Sequence, residues 1–147
     1  MAMTARIIFE KDIPRIVIFD NQDEGRTNLT GILRRHNLLV YEAYSLSGLI
    51  DIIRRQQPDL LVLGDDTFPL DGFQVCEMLK SDDNYRGLHV ILLADGITET
   101  KLTRSRIVCV DQLVLWPRYD DGEVFSKSIV DYVKNHIVKR RRLTGLH

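Results

Sequence analysis

The sequence predicts an α/β fold: a five-stranded parallel sheet with helices on both faces, arranged as a (βα)5 three-layer sandwich. Three observations carry this. Short apolar runs alternate five times with longer segments of helical periodicity, which implies right-handed crossovers and a parallel sheet. The runs within 15–19, 60–63 and 89–94 are apolar at almost every position, as strands covered on both faces must be. The chain of 147 residues, 44% hydrophobic and 28% charged, suits one domain around one sheet.

The elements follow in order. RIVIF at 15–19 is a β-branched strand stopped by Asp20 and Asn21. Residues 23–36 form a first helix. Its acids lie early and its basic residues late, as the helix dipole favours, and Leu29, Ile32 and Leu33 make an apolar face. Leu38 to Tyr41 is a second strand. Ser45 caps a second helix with a stripe of Leu46, Leu49, Ile50 and Ile53, and Pro58 ends it. Leu60 to Leu63 is a third strand. A third helix begins near Gly72 with Phe73, Cys76 and Leu79 facing inward. His89 to Ala94 is a fourth strand. ITETKLTRSRIV holds a short or frayed helix, because threonine is a poor helix former. Gln112 to Leu115 is a fifth strand, closed by Trp116 and Pro117. The last helix runs from about Gly122 to Arg140 and buries Val124, Phe125, Ile129, Tyr132, Val133 and Ile137. The organisation is therefore an N-terminal extension at 1–13, with an extra strand expected at Arg6 to Glu10, then a domain at 14–138 and a basic tail at 139–147.

Composition and patterning narrow the function classes. A formal net charge of −1 gives no bulk attraction to nucleic acid or anionic membrane. The run Lys139 to Arg142 is a small basic patch, read first as a favourable helix end and solvated tail, so nucleic acid is not an expected partner. No apolar run reaches the ~18 residues of a membrane-spanning helix, and the N-terminus lacks a secretory apolar core. Cys76 and Cys109 lie in apolar-patterned segments and read as two buried thiols in a reducing cytoplasm. The four histidines are scattered, and no Cys/His ligand spacing or glycine-rich phosphate loop follows any strand. The chain does not read as an enzyme.

Ligands of open parallel sheets sit at the carboxyl ends of the strands. The stretch DLLVLGDDTFPLDGF, residues 59–73, runs from strand through acidic turn to helix. Counting forward from Pro58, or back from Asp71 and Gly72, sets Gly64 at the strand tip. Counting back from Pro69 sets Asp65 there. A one-residue slip turns the side chain to the opposite sheet face, so the two alternatives differ chemically. Asp20, Asn21, Asp65 and Asp66 form an acidic group at these ends, readable as a cation pocket or as a solvated turn.

From about residue 14 to 138 the chain resembles a response-regulator receiver domain, the CheY-like branch of flavodoxin-like folds. RIVIFD, PDLLVLGD with PLDGFQVCEMLK, HVILLAD and DQLVLWP carry the match, in the family's order and spacing. The resemblance implies two-component signal transduction and a fixed chemistry. Two acids after the first strand and an aspartate at the third-strand tip hold Mg²⁺. The third-strand aspartate accepts a phosphoryl group. A hydroxyl after the fourth strand and a lysine after the fifth bind its oxygens. Cationic charge is needed because nucleophile and phosphoryl group are both anionic.

This sequence departs from that pattern. Asp20 is present, but Asn21 replaces the second acid. Gly64 holds the phosphoacceptor position by spacing, with Asp65 as the alternative phosphoacceptor. The hydroxyl position is Ala94 and the lysine position is Trp116. A unit charge ~4 Å from a phosphoryl oxygen is worth about 4 kcal/mol at an effective dielectric of ~20, before desolvation is deducted. With no lysine nearby, a bare acidic cluster repels itself and would bind Mg²⁺ weakly at most. The expectation is a pseudo-receiver: a phosphorylation-independent interaction domain whose partner is a signalling protein or a second copy. The resemblance implies the contact face, made by the fourth helix, fifth strand and fifth helix. On it Trp116, Arg118 and Tyr119 are the candidate residues, with Trp116 equally readable as filling the vacated pocket. The competing reading is a Mg²⁺-dependent response regulator phosphorylated at Asp65.

Overall fold

The computed structural model describes residues 13–21, 23–115 and 123–138. Its elements are β1 (Arg15–Phe19), α1 (Asp23–Arg34), β2 (Leu39–Ala43), α2 (Leu46–Gln56), β3 (Leu60–Gly64), α3 (Gly72–Lys80), β4 (His89–Ala94), α4 (Glu99–Ile107), β5 (Gln112–Leu115) and α5 (Glu123–Tyr132). A π-helical segment, Val133–Val138, continues α5. The five strands pair in parallel in the order β2-β1-β3-β4-β5. The predicted five-stranded parallel α/β architecture is the observed one.

Strand alternation divides the core. Ile16, Ile18, Leu60, Val62, Ile91 and Leu93 face one side and pack with Leu29 and Leu33 of α1 and Ile129 of α5. Val17, Phe19, Leu61, Leu63, Val90 and Leu92 face the other and pack with Leu49 and Ile53 of α2 and with Phe73, Val75, Cys76 and Leu79 of α3. Both faces of β1, β3 and β4 are therefore covered, which explains why those runs are apolar at successive positions.

Local chemistry sets the boundaries. The Ser45 side chain accepts from the Gly48 N–H and caps α2, which ends where Gln57 turns left-handed at φ 48°. Asp71 and Gln74 form a reciprocal capping box at the start of α3. Thr98 caps α4, so one of the threonines expected to weaken that helix also starts it. The strand expected at Leu38 to Tyr41 runs instead over Leu39–Ala43, because it pairs along the whole of β1. The last helix changes to π-type after Tyr132, a change the apolar periodicity did not signal.

One expectation is corrected. Cys76 is buried, but Cys109 is exposed. Cys109 sits in a turn with φ 60° between α4 and β5, and its neighbours Val108 and Val110 pack inward in its place. The expected strand at Arg6 to Glu10, the side chains of Val124 and Phe125, and the basic tail lie outside the described residues. Among the described residues, no helix is long and apolar enough to cross a membrane.

Candidate functional site

The period of two fixes what reaches the carboxyl ends of the strands. Gly64 follows Val62 and Asp20 follows Ile18, so both share the α1/α5 side of the sheet. They stand one step beyond the Phe19–Leu63 register pair. A Cβ built on Gly64 would lie 2.8 Å from Oδ1 and 3.1 Å from Cγ of Asp20, and 3.5 Å from Oδ1 of Asp66. The strand tip thus aims at the acidic group, and it carries no side chain. The buried Asp20 carboxylate occupies the space that a side chain at 64 would need.

Asp65 faces the other way. Its N–H donates to Leu93 O at 2.8 Å, which holds it at the end of the ladder. Its carboxylate, only 8% exposed, meets Lys101 Nζ of α4 at 2.7 Å. The expectation that no lysine lies near the acids is therefore corrected: α4 supplies one. Asp65 is also set apart from the expected four-residue pocket, which leaves Asp20 and Asp66 flanking Gly64. Asn21 Nδ2 donates to Asp66 O at 2.6 Å and fastens the two loops together. Among the described residues, no three His, Cys, Asp or Glu side chains gather in a metal-holding arrangement. The donor set that the resemblance implies for Mg²⁺ lacks its third-strand carboxylate, and these residues do not fit it.

The loop after β3 closes tightly. Gly72 N–H donates to Asp65 O at 3.1 Å, and a Cβ on Gly72 would overlap the Gly64 carbonyl oxygen and reach Leu92 Cδ1 at 2.7 Å. Only glycine permits this approach of α3 to the strand tip. A second cation of α4 holds the same loop. Arg104 Nη2 lies 3.2 and 3.0 Å from the two Asp71 oxygens, and its guanidinium stacks 4.4 Å from the Phe73 ring centre.

The β1 side has its own support. Buried Arg26 donates from Nη1 to the Asp20 carbonyl at 2.8 Å and has Nε 3.6 Å from Glu42 Oε1. Its guanidinium lies 4.5 Å from the Tyr44 ring centre. Glu42 also accepts from Thr30 Oγ1 at 2.9 Å and from the Tyr44 hydroxyl at 3.1 Å. The Glu42 hydrogen bond, then its charge, pushes the Tyr44 phenol above its ordinary value.

Ala94 is fully buried at the end of β4 and offers no hydroxyl. Trp116, Arg118 and Tyr119 fall outside the described residues. Sequence reasoning missed Lys101, Arg104, Arg26 and Glu42. Lys101 and Arg104 stand three apart and so share a helix face, a spacing that was legible, but nothing in it says which acids they meet. At the opposite end of the sheet, two of the scattered histidines come together. His89 Nδ1 lies 2.7 Å from the Tyr132 hydroxyl, and the Tyr132 and His136 rings stack at 4.4 Å. Burial, then the Asp111 charge, pushes the Tyr132 phenol up to about 12.

Comparison with known proteins bears on the fold. No protein-family model matches the chain. The signal receiver domain of a DNA-binding response regulator from Colwellia psychrerythraea superposes with a TM-score of 0.73 at 21% identity, covering 83% of this chain and 99% of that one. The chemotaxis response regulator CheY4 of Vibrio cholerae gives 0.70 at 11% identity, over 80% and 98%. HP1043, an orphan response regulator of H. pylori, gives 0.68 at 12% identity, over 80% and 94%. Among curated proteins, the transcriptional regulatory protein AfsQ1 of Streptomyces coelicolor is 33% identical over 81 residues, 55% of this chain and 35% of its own length. The chain thus spans about a third of that relative. It has the CheY-like receiver fold of response regulators.

Proposed function

We propose that this chain is a two-component-type signalling module that acts through protein contacts without aspartyl phosphorylation. In this reading it is not an enzyme, has no dedicated Mg²⁺ site and works in the cytoplasm. It binds a signalling protein or a second copy of itself, with Trp116, Arg118 and Tyr119 as candidate contact residues. The observation that carries it is the Gly64–Asp20 juxtaposition. The position aimed into the acidic group has no nucleophile, and the Asp20 carboxylate lies where one would stand. Ala94 adds no hydrogen bond for a phosphoryl oxygen, and Asp65 is turned to the opposite face and ion-paired. Phosphoryl transfer depends on positioned charge, so these departures compound.

The second reading, phosphoryl acceptance at Asp65, draws support from Lys101. Its ammonium lies 2.7 Å from the carboxylate and would offset part of the incoming negative charge. One experiment separates the two. The protein is mixed with Mg²⁺ and a small phosphodonor and weighed intact, with Asp65→Asn alongside and an ordinary receiver as positive control. The proposed function expects no adduct while the control is labelled. An adduct that Asp65→Asn removes would establish the second reading.

A further inference from the structure

Helix α4 is attached differently from its neighbours. α3 buries Phe73, Val75, Cys76 and Leu79, and α2 buries Leu49 and Ile53. Of the nine described residues of α4, Ser105 alone is buried. Of its two larger apolar residues, Ile107 is 73% exposed and Leu102 37%. Burial of apolar area normally holds a short helix in place, and in α4 it is limited to part of Leu102, with Val108 buried at the helix end. What it has instead is charge. Lys101 reaches Asp65, and Arg104, one turn on, reaches both oxygens of Asp71 while stacking on Phe73. Both acids belong to the loop between β3 and α3. Asp65 anchors it at the strand tip and Asp71 caps α3.

We infer that the pairs Lys101–Asp65 and Arg104–Asp71 form an electrostatic clamp that sets the position of α4, and that α4 opens as a local unit when the clamp is weakened. This extends the proposed function, in which Asp65 is not a phosphoacceptor, by giving Asp65 another task. The acid beside the strand tip ties the loop between β3 and α3 to a helix. Lys101 and Asp71 are partly solvent-accessible, so added salt screens the clamp, whereas apolar packing of α2 and α3 does not weaken in the same way.

The test is amide hydrogen exchange of the intact chain, resolved by peptide. It is run at about 0.01 M and about 1 M potassium chloride, between which the Debye length falls from ~30 to ~3 Å. The expected result is a several-fold rise in α4 exchange at high salt, about fivefold for each pair lost, while α2 and α3 peptides stay unchanged. Lys101→Gln and Arg104→Gln should each raise α4 exchange at low salt, and the double variant should no longer respond to salt. The unsubstituted protein carries the salt arm, so a variant that fails to fold does not remove the test. Salt-insensitive α4 exchange, or a rise spread evenly over all helices, overturns the clamp. Weighing the same samples after phosphodonor treatment keeps the two ideas apart. An Asp65 adduct with salt-responsive α4 would overturn the proposed function and leave the clamp standing, and no adduct with unresponsive α4 would do the reverse.

Discussion

Oδ1 of Asp20 lies 2.8 Å from the point that a Cβ on Gly64 would occupy. The two loops have closed around a residue without a side chain, so restoring one requires Asp20 to turn aside. Gly64→Asp by itself is therefore expected to take no phosphoryl group from a small phosphodonor, since it displaces the remaining first-strand acid and gains no hydroxyl at Ala94. Gly64→Ala should cost about 1 kcal/mol, because the clash is with the movable end of a side chain. Intact mass and urea midpoints check the two outcomes. A labelled Gly64→Asp protein would show that the pocket is only one residue from function.

Gly72 faces a harder constraint. Its virtual Cβ overlaps a backbone carbonyl, that of Gly64, and the Leu92 side chain behind it. Backbone cannot rotate away. Gly72→Ala should cost about 3 kcal/mol, clearly more than Gly64→Ala, in the same denaturation series.

Arg26 ties α1 to the Asp20 carbonyl, to Glu42 and to the Tyr44 face. Arg26→Met keeps the aliphatic bulk and removes the donors, leaving Glu42 less compensated in a largely buried setting. The expected loss is about 2 kcal/mol. Arg26→Lys should recover only part of it, because an ammonium cannot reproduce the planar fork or the stacking. Full recovery of stability by Arg26→Lys would show that charge alone matters there.

The two thiols should separate by reactivity. Burial pushes the Cys76 thiol up to about 11, whereas Cys109 is exposed. A maleimide should label Cys109 in the folded protein and reach Cys76 only on unfolding. The raised thiol also links stability to pH. The folded state holds the Cys76 proton more tightly than the unfolded chain does, so this contribution is complete below about pH 9. It declines as pH rises toward and through about 11, by about 3 kcal/mol at most. Subtracting the pH profile of Cys76→Ala isolates it. A flat difference would mean that the folded thiol is not desolvated.

Much of the fold was legible because burial on both faces leaves a plain mark. β1 and β4 match the expected runs, and β3 extends only to Gly64. Ser45 caps α2 as the sequence predicts, and the Asp71–Gln74 box and Thr98 add two further caps, at α3 and α4. The apolar neighbours of Cys109 suggest a buried thiol, but a left-handed turn between them points it outward. The role of Lys101 leaves no local mark, because its partner is 36 residues away in sequence.

The sequence by itself determined the alternation of strands and helices, the parallel sheet, and the absence of a hydroxyl at Ala94. These follow from residue type and period, which act locally. It left open whether residue 64 or 65 stands at the strand tip. The tertiary structure decided that, because facing depends on where the ladder ends: Asp65 bonds to Leu93, and Gly64 then shares Asp20's face. It also decided that a lysine from α4 meets Asp65. Long-range charge pairing is set by which loops the packed sheet brings together, and no single segment encodes it.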